Sequence, residues 1–196
     1  MSSDEFEADS ENAPMLLTAA DLQKARAELA EWMDPREFRR RVHGLDSVRK
    51  FNDNKYKFLR EAWVLAELSK HKSFVRIRLG EDPPDGYVQT ENGDVLKIEI
   101  TSVQTPERAL GTEYSDKKKP KEYDSIEDAE VFAKVLEDAI KKKVNEQNRG
   151  CVLVVDQNIV NAIITPDKKE NAIVGIKGKY APEFKHLWIL WNDKVF

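Results

Sequence analysis

Pro84-Asp85-Gly86-Tyr87-Val88 and Leu96-Lys97-Ile98-Glu99-Ile100-Thr101, joined through Glu91-Asn92-Gly93, read as the two strands of a hairpin, and their pairing decides the fold. A three-residue hairpin loop is typically a type I turn followed by a left-handed residue, and Gly93 stands at that third place. This register opposes Thr90 to Asp94 and therefore Asp85 to Glu99. A two-residue Asn92-Gly93 loop of type I′ would instead pair Asp85 with Ile100 and send the two acids to opposite faces. In the three-residue register Val88, Leu96, Ile98 and Ile100 share an apolar face with Gly86. Asp85, Tyr87, Lys97, Glu99 and Thr101 then share the polar face. Opposed side chains have Cβ atoms about 4.5–5.5 Å apart, and like charges there destabilise unless neutralised. Two acids so placed ask for a divalent cation or a shared proton.

Working outward, helices and strands alternate around this hairpin. Thr18 with Asp21 three residues on, followed by apolar residues at helical spacing, predicts a capped helix to about Met33. Asp34-Pro35 predicts a second helix ending near Gly44, with Asp34 as N-cap and proline in its first turn. A third is expected from about Asn54 to Lys70, with Phe58, Ala62, Leu65 and Leu68 on one side. Glu61 falls inside that stripe while Glu67 points away, and an inward carboxylate without a partner is costly. Phe74–Leu79, with Val75, Ile77 and Leu79 alternating, predicts a strand ahead of the hairpin. Residues 104–124 read as a polar loop. A long helix is expected from Ile126 to Gln147, its stripe made by Phe132, Val135, Leu136, Ala139, Ile140 and Lys143. Cys151–Val155 reads as a buried strand, with a short helix expected near Asn158 to Ile163 and a last strand at Leu187–Trp191.

The fold class expected is therefore α/β, a mixed sheet with helices on both faces. Residues 1–14 read as an acidic disordered tail, 15–53 as N-terminal helices packing on the core, and 54–196 as the α/β core. No apolar run approaches the ~20 residues of a membrane span, and no basic stretch followed by an apolar one opens the chain, so a cytoplasmic protein with no membrane partner is expected. Cys151 cannot form an internal disulfide and reads as a small buried hydrophobe.

The net charge of the 196 residues is −4, but residues 1–14 carry five acids and no base, which leaves the rest at +1. Between Arg36 and Arg60 nine bases meet three acids. Arg39, Arg40, Arg41, Arg49 and Lys50 in this stretch are candidates for phosphate contact, against the plainer reading of a solvated helical face. His43, His71 and His186 are scattered and make no zinc-type cluster, and there is no Gly-rich phosphate loop.

A glutamate on a helix, a three-strand meander carrying Pro84-Asp85 and then Glu99-Ile100-Thr101, a second helix and an apolar strand together resemble the PD-(D/E)XK nuclease superfamily over residues 54–156. The resemblance implies an αβββαβ restriction-endonuclease-like core. It also implies Mg²⁺ or Mn²⁺ held by Asp85, Glu99 and the Ile100 carbonyl, with Glu61 as the helix acid. Thr101 stands where that pattern has lysine. The charge must then be missing or come from Lys97, two residues upstream on the same face, or from Lys143, whose plainer role is to cover apolar surface and reach out to water. Gln104 could also line such a site. Two functions follow as expectations. One is metal-dependent hydrolysis of nucleic acid, DNA foremost, by a chain that could work as a homodimer. The other is a catalytically inactive module of the same fold that binds nucleic acid or a protein. A purely structural α/β domain, with Glu99 paired to Lys97 or an arginine, is the third reading.

Overall fold

A reciprocal cap starts the fold. Thr18 Oγ1 accepts the Asp21 N–H at 3.2 Å, and Asp21 Oδ2 accepts the Thr18 N–H at 2.8 Å, opening α1 (Ala19–Leu29). The computed structural model in which this is seen describes residues 18–45, 57–103, 126–157, 163–192 and 194–196. Helix α1 stops short of the expected Met33 because Met33 exchanges backbone hydrogen bonds with Ile77, at 3.1 and 3.0 Å, in an antiparallel bridge. Helix α2 (Pro35–Gly44) is bounded as expected, with Asp34 Oδ1 accepting the Arg36 N–H at 2.7 Å. Helix α3 (Lys57–His71) buries Leu59, Val64 and Ala66 in addition to the expected stripe. It is wetted on little of its circumference because α2 packs on it on one side and the sheet on another.

Six strands, β1 (Arg76–Leu79), β2 (Gly86–Gln89), β3 (Val95–Val103), β4 (Val152–Gln157), β5 (His186–Trp191) and β6 (Lys194–Val195), form one sheet in sequence order. The first three pair antiparallel, β3, β4 and β5 run parallel, and β6 returns antiparallel on β5. Each parallel connection carries a helix, α4 (Ala129–Lys141) before β4 and α5 (Pro166–Tyr180) before β5. Val75, expected among the buried residues of the first strand, is exposed and lies just before β1.

The helices around β4 also differ from the sequence expectation. Helix α4 ends at Lys141, six residues before Gln147, and Asn148 Nδ2 donates to the Lys143 carbonyl at 2.9 Å in the turns that follow. The side-chain amide draws the chain into a turn where periodicity alone continues a helix. Helix α5 was not foreseen, although Thr165-Pro166-Asp167 carries the start signal of a helix with proline in its first turn. Residues 158–162 of the short helix expected there, the loop 104–124 and the tail 1–14 lie outside the described residues.

The sheet separates two cores. Leu22, Leu29, Phe38 and Val42 of α1 and α2 join α3, Ile77, Val88, Ile98, Val152 and Val154 on one face. On the other, Phe132, Leu136 and Ile140 of α4 and Ile173 and Ile176 of α5 meet Leu153, Val155, Leu187 and Ile189. Each fully buried Leu, Ile or Phe contributes roughly 1.5–3 kcal/mol relative to an exposed one. The chain is thus an α/β fold with a mixed six-stranded sheet. Among the described residues no helix is long and apolar enough to cross a membrane.

Two glycines test what holds the hairpin. A Cβ at Gly80 would lie 1.9 Å from the Pro84 carbonyl oxygen, a backbone atom that cannot step aside, whereas Gly93 has open space and a φ of +87°. Gly80→Ala should therefore cost about 3 kcal/mol or more, and Gly93→Ala about 1–2 kcal/mol from left-handed backbone alone. Urea denaturation of the two variants reads the difference, and equal losses would contradict this account.

Candidate functional site

The register that decides the site is the one with the three-residue loop. Gly86 pairs with Ile98, Tyr87 with Lys97, Val88 with Leu96 and Gln89 with Val95. The Thr90 N–H donates to the Asp94 carbonyl at 2.9 Å and the Gly93 N–H to the Thr90 carbonyl at 3.0 Å. One residue beyond the ladder, Asp85 stands opposite Glu99, and both are buried. The Asp85 backbone is held by the Gly80 N–H on its carbonyl at 2.9 Å. Its side chain turns along β3, where Oδ2 accepts the Ile100 N–H at 2.7 Å.

Helix α3 brings two further groups. Lys57 opens the helix and Glu61 follows one turn later, so both project to the same side. The Lys57 ammonium lies 2.9 Å from Glu61 Oε1, 3.1 Å from Asp82 Oδ2 and 3.3 Å from Asp85 Oδ1. The Glu61 contact is close but off the hydrogen-bonding direction, leaving Oε1 a buried acceptor without a hydrogen bond. Burial first, then the neighbouring Asp85 charge, raise the Glu61 carboxyl to about 7 against the pull of Lys57. Burial opposes the charge on Lys57, but Glu61, Asp85 and Asp82 outweigh it and raise its pKa.

Glu99 is served from the other core. Lys143, in the turn after α4, places Nζ 2.6 Å from Glu99 Oε1, while Glu99 Oε2 is buried and has no hydrogen-bond partner. Of the two lysines expected to stand in for Thr101, Lys143 thus reaches the acid and Lys97 is exposed. Lys143 does so from a turn rather than from the helix on which it was expected. Thr101 is half-buried and pairs with Val155. Lys57 was seen in the sequence only as one more base of the Arg36–Arg60 stretch. The i,i+4 spacing of Lys57 and Glu61 was the signal that could have found it.

The arginines are engaged within the chain. Arg39 donates to the Ser69 carbonyl and hydroxyl at 3.1 and 2.9 Å, and Arg40 and Arg41 share Glu37 at 2.7 Å each. Arg40 and Arg41 hold the Glu37 carboxyl down at about 2. Arg49, Lys50 and Gln104 lie outside the described residues.

Comparison with protein families, with curated proteins and with solved structures finds no match. The site must be read from its own chemistry.

Four carboxylates (Glu61, Asp82, Asp85, Glu99) meet two ammonium groups, an excess of two negative charges when all are ionised. Among the described residues no group of three or more His, Cys, Asp or Glu side chains is arranged to hold a metal ion. Mg²⁺, however, is commonly held by only one or two carboxylates plus waters and substrate phosphate, all through oxygen. The oxygen-only donor set and the orphaned Glu99 Oε2 suit such a hard cation. No His or Cys is needed for it.

The raised Glu61 carboxyl has a readable consequence. The folded state keeps a proton that the unfolded chain gives up near pH 4.5, so this stability is complete below the unfolded value and is lost as pH rises through about 7. Asp156, raised to about 6 chiefly by burial, adds a slope of the same sign. Glu61→Gln should remove the first contribution and keep the second. The loss of stability between about pH 5 and 7.5 should shrink by about 1–2 kcal/mol, screening allowed for. Urea denaturation at the two pH values measures it, and an unchanged slope would count against the buried, proton-sharing Glu61.

Proposed function

We propose that the chain is a metal-dependent phosphodiesterase of the nuclease type, acting on nucleic acid and DNA foremost, built on the αβββαβ restriction-endonuclease-like core that the sequence resembles. The observation that carries this reading is the Lys143 ammonium 2.6 Å from Glu99, on an acid that the hairpin register sets opposite Asp85. It supplies from the second helical region the positive charge that Thr101 lacks. Asp85, Glu99 and the Ile100 carbonyl are the groups that would hold Mg²⁺ or Mn²⁺.

Such an ion, when bound, polarises a phosphate oxygen and lowers the pKa of bound water. The chain's own residues do the remainder. Lys143 offsets charge that develops on the phosphoryl oxygens and stays paired with Glu99. Glu61 Oε1 has an unused lone pair with which to orient the attacking water. The Asp85 carboxylate is fixed by the Ile100 N–H, so it needs no reorganisation before the reaction.

Cleavage of plasmid or single-stranded DNA in Mn²⁺ should disappear in Glu99→Gln and fall about a hundredfold in Lys143→Met. Persistent cleavage in Glu99→Gln would sink the reading.

A second reading is favoured by a specific contact. The Lys57 ammonium already sits among Glu61, Asp82 and Asp85 and offsets one of their charges, so a module without catalysis could use it as a permanent internal cation. Thermal melting separates the two. Under the nuclease reading Mn²⁺ raises the melting temperature of the native chain but not of Asp85→Ala. Under the second, only Lys57→Met gains from Mn²⁺, because the ion then takes the place that the ammonium has left.

A further inference from the structure

The alternation that turns Ile77, Val88, Leu96 and Ile98 into the core turns Arg76, Arg78, Tyr87 and Lys97 to the opposite face of β1–β3. Among the described residues no helix buries this part of the sheet, since α4 and α5 lie over β3–β5. Trp32, between α1 and α2, stands beside it with 37% of its surface exposed. Arg78 pairs with Tyr87 and Tyr87 with Lys97, so the three form one row across the strands. The Arg78 guanidinium carbon lies 4.1 Å from the Tyr87 ring centre and 5.3 Å from that of Trp32. The two rings are 6.4 Å apart.

This cation is held by ring faces rather than by an acid. Its Nε is buried without a hydrogen-bond partner. None of Arg76, Arg78 and Lys97 forms an ion pair among the described residues, whereas Arg40, Arg41, Lys70 and Lys134 do. By alternation along β3, Glu99 lies two residues beyond Lys97 on the same face, with Asp85 beside it on the neighbouring strand's continuation. Two residues of strand rise span about 6.6 Å, the reach of a single nucleotide.

We infer that this face binds unpaired nucleotides of a single-stranded nucleic acid, with a base stacked on the Trp32–Arg78–Tyr87 group and flanking phosphates met by Arg76 and Lys97. The direction of the strand toward Asp85 and Glu99 rests on the nuclease reading; the binding itself does not. Stacking on aromatic rings or a guanidinium plane uses the base face, which duplex neighbours cover and a single strand leaves open. Unneutralised cations beside the rings attract the phosphates.

The test uses the full chain in EDTA, where no cleavage occurs, and fluorescence anisotropy with labelled oligothymidylate, oligouridylate, an abasic strand of equal length and a duplex. The native chain should prefer the base-bearing strands to the abasic strand and the duplex. Trp32→Ala should weaken oligothymidylate binding about tenfold and leave abasic binding unchanged. Trp32→Phe should restore most of the loss, which separates stacking from misfolding. Equal affinity for abasic and base-bearing strands, tighter duplex binding, no binding, or an unaffected Trp32→Ala would each overturn the inference. Strand bound through Trp32 but left uncut in Mn²⁺ removes the nuclease reading alone. Cleavage with binding indifferent to Trp32 removes this one alone.

Discussion

The hydrogen bond from the Ile100 N–H to Asp85 Oδ2, at 2.7 Å, is the constraint on which the rest of the site depends. Strand β2 begins at Gly86, and the residues before Asp85 are Pro83 and Pro84, which have no N–H to offer a neighbouring strand. Strand β3 continues past that point to Val103. A side-chain carboxylate therefore takes over where backbone pairing stops. Because this carboxylate serves the ladder, it is ordered and buried, and it is held on the backbone N–H of Ile100, the residue between Glu99 and Thr101.

The cost of burying acids explains the lysines. A buried carboxylate without a partner loses several kcal/mol of hydration, so Asp85, Glu61 and Glu99 persist only with counter-charges nearby. Those charges come from opposite sides of the sheet. Lys57 arrives on α3, locked to Glu61 by helix spacing, and Lys143 arrives from the turn after α4. Neither supply is complete. Glu61 retains a proton near neutrality, and one oxygen of Glu99 stays unpaired, so the site is left short of positive charge and of donors.

Much of this was legible in the sequence because it rests on local rules. The Thr18 cap, the Asp34-Pro35 helix start and the Gly93 turn each follow from a few adjacent residues, and the turn alone fixes which acids oppose. The inward Glu61 followed from helical period. What was missed depends on partners distant in sequence. Met33 leaves α1 to pair with Ile77, and Val75 is exposed because β1 begins one residue later, neither of which a hydrophobic pattern reveals. Lys57 looked like one base among nine, since its value comes from Asp82 and Asp85 some twenty-five residues away. The arginines of α2 read as a phosphate patch for the same reason in reverse, because Glu37 and Ser69 hold them only once the helices have packed.

The sheet is covered unequally, and the acids stand at the boundary. On one side of Glu99, Leu153 and Val155 are sealed beneath α4 and α5; on the other, Tyr87 and Lys97 belong to a face that no described helix buries. Sealing lowers the local dielectric and strengthens each charge–charge contact, but a wholly sealed site admits no polymer. An open face admits one, but leaves charges screened by water. A position between the two reconciles the demands. The carboxylates are desolvated enough for burial to shift Glu61, while the adjoining row of Arg78, Tyr87 and Lys97 is accessible from solvent. The antiparallel β1–β3 meander makes this boundary, because its tight turns and short loop need no crossover helix, whereas each parallel step from β3 to β5 brings one with it.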